Sequence, residues 1–290
     1  MYEDLFSMTG RLAVVTGASR GIGRAVARAL AEAGADVVMV ARSEKQLDSA
    51  AQEINTATGR RIEHYRLDLM DRAAVDRFAR TVVAEFGVVD VLVNNAGINH
   101  PQTLLETSDE NWDHMIEMNL TSQMRLTRAL VPGMVEQGWG RVIYTSSIMA
   151  LASKHARGIY SATKAALVGM MRAQTLELGP AGITVNCLAP GPVLTDMTMG
   201  LLNDEQQHQF SDATALKRWG QGEDMVGPLV MLASDAGAFI SGDVFVADGC
   251  LLSRTFADRL TLLRLRFFSQ CCLDFFLTFD FFFFIFTGTN

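Results

Sequence analysis

Seven short runs of β-forming, largely apolar residues alternate along the chain with longer segments in which apolar residues recur at helical spacing. The runs are Leu12 to Thr16, Asp36 to Ala41, Arg61 to Leu67, Val89 to Asn94, Gly140 to Ser146, Ile183 to Leu188 and Val244 to Ala247. Runs such as Val37-Val38-Met39-Val40 are apolar at every position, which favours a sheet covered on both faces. Strand–helix alternation implies right-handed βαβ units. We therefore expect an α/β fold with a doubly wound, seven-stranded parallel sheet and helices on both faces.

A glycine-rich turn follows the first predicted strand. It reads Thr16-Gly17-Ala18-Ser19-Arg20-Gly21-Ile22-Gly23 and leads into a predicted helix. Glycines allow a diphosphate to approach the backbone N–H groups at a helix N-terminus, where the helix dipole favours negative charge. The spacing GxxxGxG departs from the GxGxxG dinucleotide fingerprint. A tight strand-to-helix turn without a ligand is the alternative interpretation.

Tyr160 and Lys164 stand four residues apart in a helix-forming stretch. Residues at positions i and i+4 share one helix face, so the ammonium can sit beside the phenol and favour its ionised form. We expect Lys164 to lower the pKa of Tyr160 and make it a proton donor and acceptor near neutral pH. An ordinary exposed helix pair is the alternative.

Composition argues against several functional classes. The 290 residues carry a formal charge of −7 with no basic or aromatic-interleaved cluster, so we expect no nucleic-acid partner. The four cysteines and five histidines lack metal-ligand spacing, so we expect no metal and no disulfide. The acidic start, Met1 to Phe6, lacks the features of a signal peptide, which favours a cytoplasmic location.

Taken in order, five motifs resemble the short-chain dehydrogenase/reductase family. They are the glycine turn, Asn94-Asn95-Ala96-Gly97, Ser147, Tyr160-x-x-x-Lys164 and Pro190-Gly191. The resemblance covers about residues 7 to 253 and extends to gluconate 5-dehydrogenase-like and 3-oxoacyl-carrier-protein reductase-like members. It implies a Rossmann-like domain and an NAD(P)-dependent oxidoreductase that moves a hydride between nicotinamide and a carbonyl or secondary alcohol. A nucleotide-binding regulatory protein without turnover is the alternative from another class.

The resemblance also implies a set of cofactor-binding residues. They are Gly17, Ser19, Arg20, Gly21, Ile22, Gly23, Arg42, Asp68, Leu69, Asn95, Ala96, Gly97, Tyr160, Lys164, Pro190, Gly191, Val193 and Thr195. Ala41-Arg42 stands where NAD-using members typically carry an acid, and a guanidinium suits a 2′-phosphate, so we expect NADP rather than NAD. Arg20 is a second candidate for that phosphate. Asp68 matches the residue that accepts from the adenine amino group, although it is also suited to an N-cap or first-turn position.

By the same resemblance, the catalytic set is Asn119, Ser147, Tyr160 and Lys164. Tyr160 exchanges the proton, and Lys164 also binds the nicotinamide ribose. Ser147, thirteen residues before Tyr160, hydrogen-bonds the substrate oxygen, although a plain helix cap is its alternative role. Asn119 holds a proton-relay water beside Lys164.

Substrate contacts are expected from residues 98–101, 148–157 and a lid at about 194–221. His100, Lys154, His155 and Arg157 could attract an anion, or form a solvated basic loop. The residues do not choose between sugar acids, acyl thioesters and xenobiotic ketones.

We expect one domain at residues 1–256 and a non-functional tail at residues 257–290. The stretch beyond Ser253 holds eleven of the seventeen phenylalanines. Its apolar run, Leu273 to Phe286, is interrupted by Asp274 and Asp280 and is shorter than the roughly 20 residues that a membrane span needs. Small residues on the helix of Tyr160 favour a homotetramer or homodimer.

Overall fold

A single parallel sheet of seven strands organises the described part of the chain. In the computed structural model, residues 2–200 and 203–253 are described. The strands, in sequence order, are β1 Leu12–Thr16, β2 Asp36–Ala41, β3 Ile62–Arg66, β4 Val91–Asn94, β5 Gly140–Thr145, β6 Ile183–Pro190 and β7 Val244–Ala247. Their order in the sheet is β3-β2-β1-β4-β5-β6-β7, which confirms the predicted doubly wound fold.

The helices follow the strands in alternation. They are α1 Tyr2–Phe6, α2 Gly21–Glu32, α3 Glu44–Thr58, α4 Arg72–Phe86, α5 Asp109–Ile116, α6 Ser122–Gln137, α7 Gly158–Leu178, α8 Asp196–Met199, α9 Asp204–Ala213 and α10 Val226–Ala233. A π-helical turn, Glu117–Thr121, joins α5 to α6. None of the helices in the described ranges has the length and apolar character needed to cross a membrane.

Two apolar cores cover the two faces of the sheet. One contains Phe78 of α4, Leu126 of α6 and Leu167 of α7. The other contains Leu30 of α2 and, among further side chains, Leu47 of α3 and Leu229 of α10. Because both faces are buried, the strands need apolar residues at successive positions, which explains the continuous apolar runs of the sequence.

Strand order reverses between β1 and β4, which pair side by side in the centre of the sheet. Val14 of β1 lies between Val38 of β2 and Leu92 of β4. The chain leaves β1 toward one side of the sheet and β4 toward the other, so a crevice opens beyond their carboxyl ends. The candidate site lies there.

Strand boundaries differ slightly from those expected. β3 and β4 are shorter than predicted, and β6 continues to Pro190, which pairs with Ala247 of β7. The fold of residues up to Leu251 is one compact unit. The expected tail at 257–290 lies outside the described residues, and the domain boundary at 256 stays a prediction.

Candidate active site

A cavity of about 480 Å³ runs across the carboxyl ends of the central strands. It is lined by residues from the turn after β1, the end of β2, the loops after β3, β4, β5 and β6, and α7. Of the expected cofactor residues, those in the lining are Gly17, Ser19, Arg20, Gly21, Ile22, Gly23, Arg42, Leu69, Asn95, Ala96, Gly97, Tyr160, Lys164, Pro190, Gly191, Val193 and Thr195. Seventeen of the eighteen expected positions therefore meet in one cleft.

Asp68 is the expected cofactor residue that is not among the cleft-lining residues. Its side chain is exposed, and Oδ1 accepts a hydrogen bond from the backbone N–H of Met70 at 3.0 Å. The N-cap alternative is wrong, because Asp71 occupies that position and accepts from the N–H of Ala74 at 2.9 Å. The adenine role of Asp68 stays a prediction.

The glycine turn leaves room for a ligand at the start of α2. A Cβ on Gly23 would lie 2.3 Å from the carbonyl oxygen of Gly17, so a side chain at position 23 is sterically excluded. Gly21 has φ +55, and a Cβ there would lie 3.3 Å from Cγ2 of Thr195 across the cleft. Since no side-chain hydrogen bond from Arg20 caps α2 in the described chain, the first N–H groups of this helix are available to an anion. These residues fit the diphosphate of a dinucleotide.

The two arginines expected near a 2′-phosphate occupy different surroundings in the structure. Arg20 donates to Asp196 of α8 at 2.5 Å, so its charge is matched by a carboxylate of the lid. Arg42 lines the cleft after β2, and among the described residues no carboxylate forms an ion pair with it. Arg42 is therefore the cation at this end of the cleft that is available to a ligand.

Asn95 and Thr16 fix the turn after β4 to the turn after β1. Nδ2 of Asn95 donates to the carbonyl of Thr16 at 3.0 Å, while the hydroxyl of Thr16 accepts from the N–H groups of Asn95 and Ala96, each at 3.0 Å. The cleft is therefore braced at the point where the strand order reverses.

Ser147, Tyr160 and Lys164 meet at the other end of the cleft. Ser147 follows β5, whereas Tyr160 and Lys164 lie on the first turns of α7. The Ser147 hydroxyl accepts from the N–H of Met149 at 3.1 Å and also hydrogen-bonds the Tyr160 phenol. The helix cap that the sequence offered as an alternative role for Ser147 is thus present together with the contact to Tyr160.

Lys164 is buried and its ammonium points to the end of β5. Nζ donates to the carbonyl of Thr145 at 2.7 Å and lies 5.6 Å from the centre of the Tyr160 ring. Burial lowers the pKa of Lys164 to about 8, and the neighbouring Cys187 opposes that shift. The ammonium is thus held between the strand end and the phenol.

Tyr160 has a pKa shifted in the direction opposite to the one expected from the sequence. Burial raises the pKa of the phenol, while the hydrogen bond with Ser147 and the charge of Arg157 lower it. Lys164, which the sequence predicts to lower this pKa, is not among the groups that do so, and its Nζ donates to the Thr145 carbonyl. The described protein groups therefore favour the protonated phenol, which suits a proton donor.

Asn119 lies in the π-helical turn and is fully buried. Its Oδ1 accepts from the N–H of Ile98 at 2.8 Å, and its Nδ2 donates to the Ile98 carbonyl at 2.9 Å and to the Thr163 hydroxyl at 3.2 Å. A Cβ on Gly97 would lie 3.2 Å from Oδ1 of Asn119 and 3.5 Å from Nζ of Lys164. Asn119 therefore positions the loop after β4 and approaches Lys164 only across Gly97.

The first part of the lid segment lies beside the glycine turn, where Asp196 pairs with Arg20 and Thr195 approaches Gly21. Asp196, Met197 and Thr198 of α8 line the cavity, and Thr195 caps α8 through its hydroxyl. The ring of Phe210 on α9 packs against Trp219 with ring centres 5.5 Å apart. Residues 201 and 202 of the expected lid lie outside the described ranges.

Several cleft-lining residues were missed by sequence reasoning. They include Ser43, Gln46, Leu67, Met118, Thr145 and Ser146. Ser43, Thr145 and Ser146 directly follow strands or end them, so position alone could have identified them. Met118 comes from the π-helical turn, for which the sequence carries no clear signal. In the described ranges no group of three or more His, Cys, Asp or Glu could hold a metal ion.

One end of the cleft has a glycine turn with available helix N–H groups, and the other end has Ser147, Tyr160 and Lys164. This arrangement suits a dinucleotide-dependent oxidoreductase. Comparison with known proteins agrees. The sequence model described as short chain dehydrogenase matches residues 11–206. The chain belongs to this family of NAD(P)-dependent oxidoreductases acting on CH-OH and keto groups.

Individual relatives are similar over most of their length. The chain is 38% identical to the 3-oxoacyl-[acyl-carrier-protein] reductase FabG of Escherichia coli over 83% of this chain and 96% of the relative. It is 37% identical to the 2-dehydro-3-deoxy-D-gluconate 5-dehydrogenase of Pseudoalteromonas atlantica over 87% of this chain and 99% of the relative. A crystal structure of a gluconate 5-dehydrogenase from Burkholderia cenocepacia in complex with NADP and tartrate has a TM-score of 0.84 and 30% identity, covering 88% of this chain and 100% of that one.

Proposed function

We propose that this oxidoreductase prefers NADP(H) and that Tyr160 is its general acid and base. The convergence of Ser147, Tyr160 and Lys164 at one end of the cleft supports the proposal most strongly. The bound nicotinamide cofactor supplies the hydride chemistry, and the protein supplies orientation and the proton.

The residues around the glycine turn are suited to hold the cofactor. The free N–H groups of α2 would bind the diphosphate, and Lys164 would bind the nicotinamide ribose. Arg42 would bind the 2′-phosphate, because it is the cleft-lining arginine without an ion pair among the described residues. The NADP in the Burkholderia cenocepacia structure supports the same preference.

In the reducing direction, Tyr160 donates its proton to the oxygen of the substrate carbonyl. Burial keeps this proton on the phenol until the developing alkoxide takes it. The Ser147 hydroxyl donates a hydrogen bond to the same oxygen where negative charge develops. Asn119 positions the loop that carries Gly97.

Cofactor preference is tested by replacing Ala41, the last residue of β2, and Arg42, which follows it. The double variant Ala41→Asp with Arg42→Ala offers a carboxylate to a ribose hydroxyl and removes the cation. We expect the ratio of kcat/KM for NADPH to that for NADH to fall at least about tenfold, the loss of one charged contact. An unchanged ratio would show that Arg42 does not bind the 2′-phosphate.

Two substrate classes are supported by the relatives. The Escherichia coli relative is a 3-oxoacyl-[acyl-carrier-protein] reductase, and other relatives are gluconate or 2-dehydro-3-deoxy-D-gluconate 5-dehydrogenases. Purified protein with NADPH is assayed against 3-oxoacyl thioesters, keto sugar acids and neutral ketones. Cofactor binding without turnover on the whole panel would favour the alternative, a nucleotide-binding regulatory protein.

We also propose that the enzyme is cytoplasmic and assembles as a homotetramer or homodimer through α7. Ala162, Ala165 and Gly169 form an exposed stripe on this helix, followed by Leu176, which is 80% exposed. Small exposed residues allow close packing against a second copy. Light scattering of the purified protein tests the assembly, and a monomer would contradict it.

A further inference from the structure

Four basic side chains, those of His100, Lys154, His155 and Arg157, lie in the loops after β4 and β5, and two of them have local partners. Nδ1 of His100 lies 3.3 Å from Oδ1 of Asn111, and its ring packs edge-on against His114. His155 faces Glu106, whose pKa is lowered by hydrogen bonds from Thr103 and further by the charge of His155. These two histidines therefore serve the loop itself.

Arg157 is different, because it is partly buried and within electrostatic reach of the Tyr160 phenol. Its burial lowers the pKa of the guanidinium, and Tyr160 is the group that opposes this shift. No carboxylate among the described residues forms an ion pair with it, although most buried or half-buried arginines of this chain have one. A guanidinium that loses hydration without gaining a partner is unfavourable, and an anionic ligand would remove that cost.

Lys154 brings a second positive charge to the same place. Burial lowers the pKa of its ammonium, and the neighbouring charge of Arg157 lowers it further, so the two cations repel each other. Nζ of Lys154 lies 4.5 Å from the centre of the Phe210 ring on α9. The backbone N–H of Arg157 donates to the Lys154 carbonyl at 3.2 Å, and Arg157 directly precedes α7, three residues before Tyr160. Neither side chain is among those that line the cavity.

We propose that Arg157, assisted by Lys154, binds a carboxylate of the substrate and makes the enzyme selective for hydroxy or keto acids. The inference rests on the proposed function, since it places the carboxylate next to the group that Tyr160 protonates. The planar guanidinium can donate two parallel hydrogen bonds to a carboxylate, which fixes the orientation of the ligand as well as binding it.

This assignment separates the substrate classes left open above. A keto sugar acid offers a free carboxylate on a short carbon chain. A 3-oxoacyl thioester has no free carboxylate near its ketone, and a neutral ketone has none at all. The proposal therefore favours the acids.

The experiment compares ketones that differ only in having a carboxylate or a hydroxymethyl group. Suitable pairs are 5-keto-D-gluconate with L-sorbose, and acetoacetate with 4-hydroxy-2-butanone. NADPH oxidation gives kcat and KM for the wild type, Arg157→Gln and Arg157→Lys. Arg80→Gln, which removes one exposed charge from α4, is the control. For each pair, kcat/KM of the carboxylate substrate is divided by kcat/KM of its neutral counterpart. An effect of Arg157 on Tyr160 changes both values equally and leaves this ratio unchanged.

We expect the wild type to prefer the carboxylate member of at least one pair. Arg157→Gln should reduce that preference at least about tenfold, mainly through KM, because a charged hydrogen bond is lost. Arg157→Lys should retain part of the preference, and Arg80→Gln all of it. A wild type without preference, or an equal loss on both members of every pair, overturns the proposal while leaving the oxidoreductase function intact.

A binding measurement keeps the inference testable if no ketone is turned over. The melting temperature is recorded with NADP⁺ and either D-gluconate or D-glucitol, which again differ by the carboxylate alone. Stabilisation by D-gluconate that is lost in Arg157→Gln supports the carboxylate site even if the proposed activity fails. Equal effects of the two compounds in the wild type contradict it.

Discussion

At the scale of single residues, the surroundings of Tyr160 decide what the cleft can do. The sequence shows that Tyr160 and Lys164 are four residues apart and that Ser147 precedes Tyr160 by thirteen residues. The direction of the pKa shift could not be predicted from the sequence, because it is set by burial, which outweighs the opposing effects of Ser147 and Arg157. Sequence spacing places groups on one helix face, whereas desolvation depends on the whole fold.

Ser147 has a double role that substitution can separate. Ser147→Ala removes a donor to the substrate oxygen and a hydrogen bond that lowers the pKa of Tyr160. We expect kcat to fall about 100-fold and the apparent pKa of alcohol oxidation to rise, as measured in a pH–rate profile.

Ser108 caps α5 in a similar way, by accepting from the N–H of Asn111 at 3.1 Å, and serves as the matched control. Ser108→Ala should cost about 1 kcal/mol of stability without moving the profile. The same pKa in the wild type and Ser147→Ala would contradict the assignment.

The lowered pKa of Lys164 predicts a pH dependence of the unfolding free energy. Its pKa is about 8 in the fold, below the ordinary value of 10.5. Between these pH values the unfolded chain binds more protons than the folded chain, so this group makes stability rise with pH. The unfolding free energy of the wild type relative to Lys164→Met should therefore increase from pH 8 to pH 10.5, by up to about 3 kcal/mol.

Urea unfolding at several pH values measures that difference. Lys45→Met, at an exposed lysine of α3, is the control and should show no comparable increase. A difference between the wild type and Lys164→Met that stays flat or falls over this range would show that Lys164 keeps its ordinary pKa.

At the scale of elements, all seven strands were predicted and the local irregularities were not. Continuous apolar runs and the alternation of strands with helices depend on residues that are close in the sequence, so both can be predicted from it. The π-helical turn at Glu117–Thr121 depends on how Asn119 reaches the backbone of Ile98, a contact between distant parts of the chain. The extension of β6 to Pro190 likewise depends on its pairing with β7.

The glycine turn provides the clearest test at this scale. Gly23→Ala would place a Cβ 2.3 Å from the carbonyl oxygen of Gly17, so the turn must shift. We expect NADP(H) binding, measured by fluorescence titration, to weaken at least about tenfold, because the N–H groups of α2 lose their alignment. Gly227 lies on α10, and a Cβ there would meet no neighbouring atom within 4 Å, so Gly227→Ala should leave binding unchanged. Unaltered binding by Gly23→Ala would show that this turn does not hold the diphosphate.

At the scale of the whole molecule, the fold brings motifs from distant parts of the sequence into one cleft. The reversal of strand order between β1 and β4 opens this cleft, and the segments after six strands contribute to its lining. Nearly all expected cofactor positions line this cleft, and most of them follow strands, a position that the sequence shows. The pairing of Arg20 with Asp196 could not be predicted from the sequence, since α8 reaches the glycine turn only in the folded chain.

The central claim is that proton transfer by Tyr160 completes the reduction of a carbonyl. The most direct measurement is NADPH oxidation by Tyr160→Phe with the best ketone substrate of the wild type, followed by absorbance. We expect turnover to fall by about 100-fold to 10,000-fold while NADPH binding is retained, because the aromatic ring stays and only the hydroxyl that donates the proton is lost. A phenylalanine variant that reduces the ketone at the rate of the wild type would contradict the account.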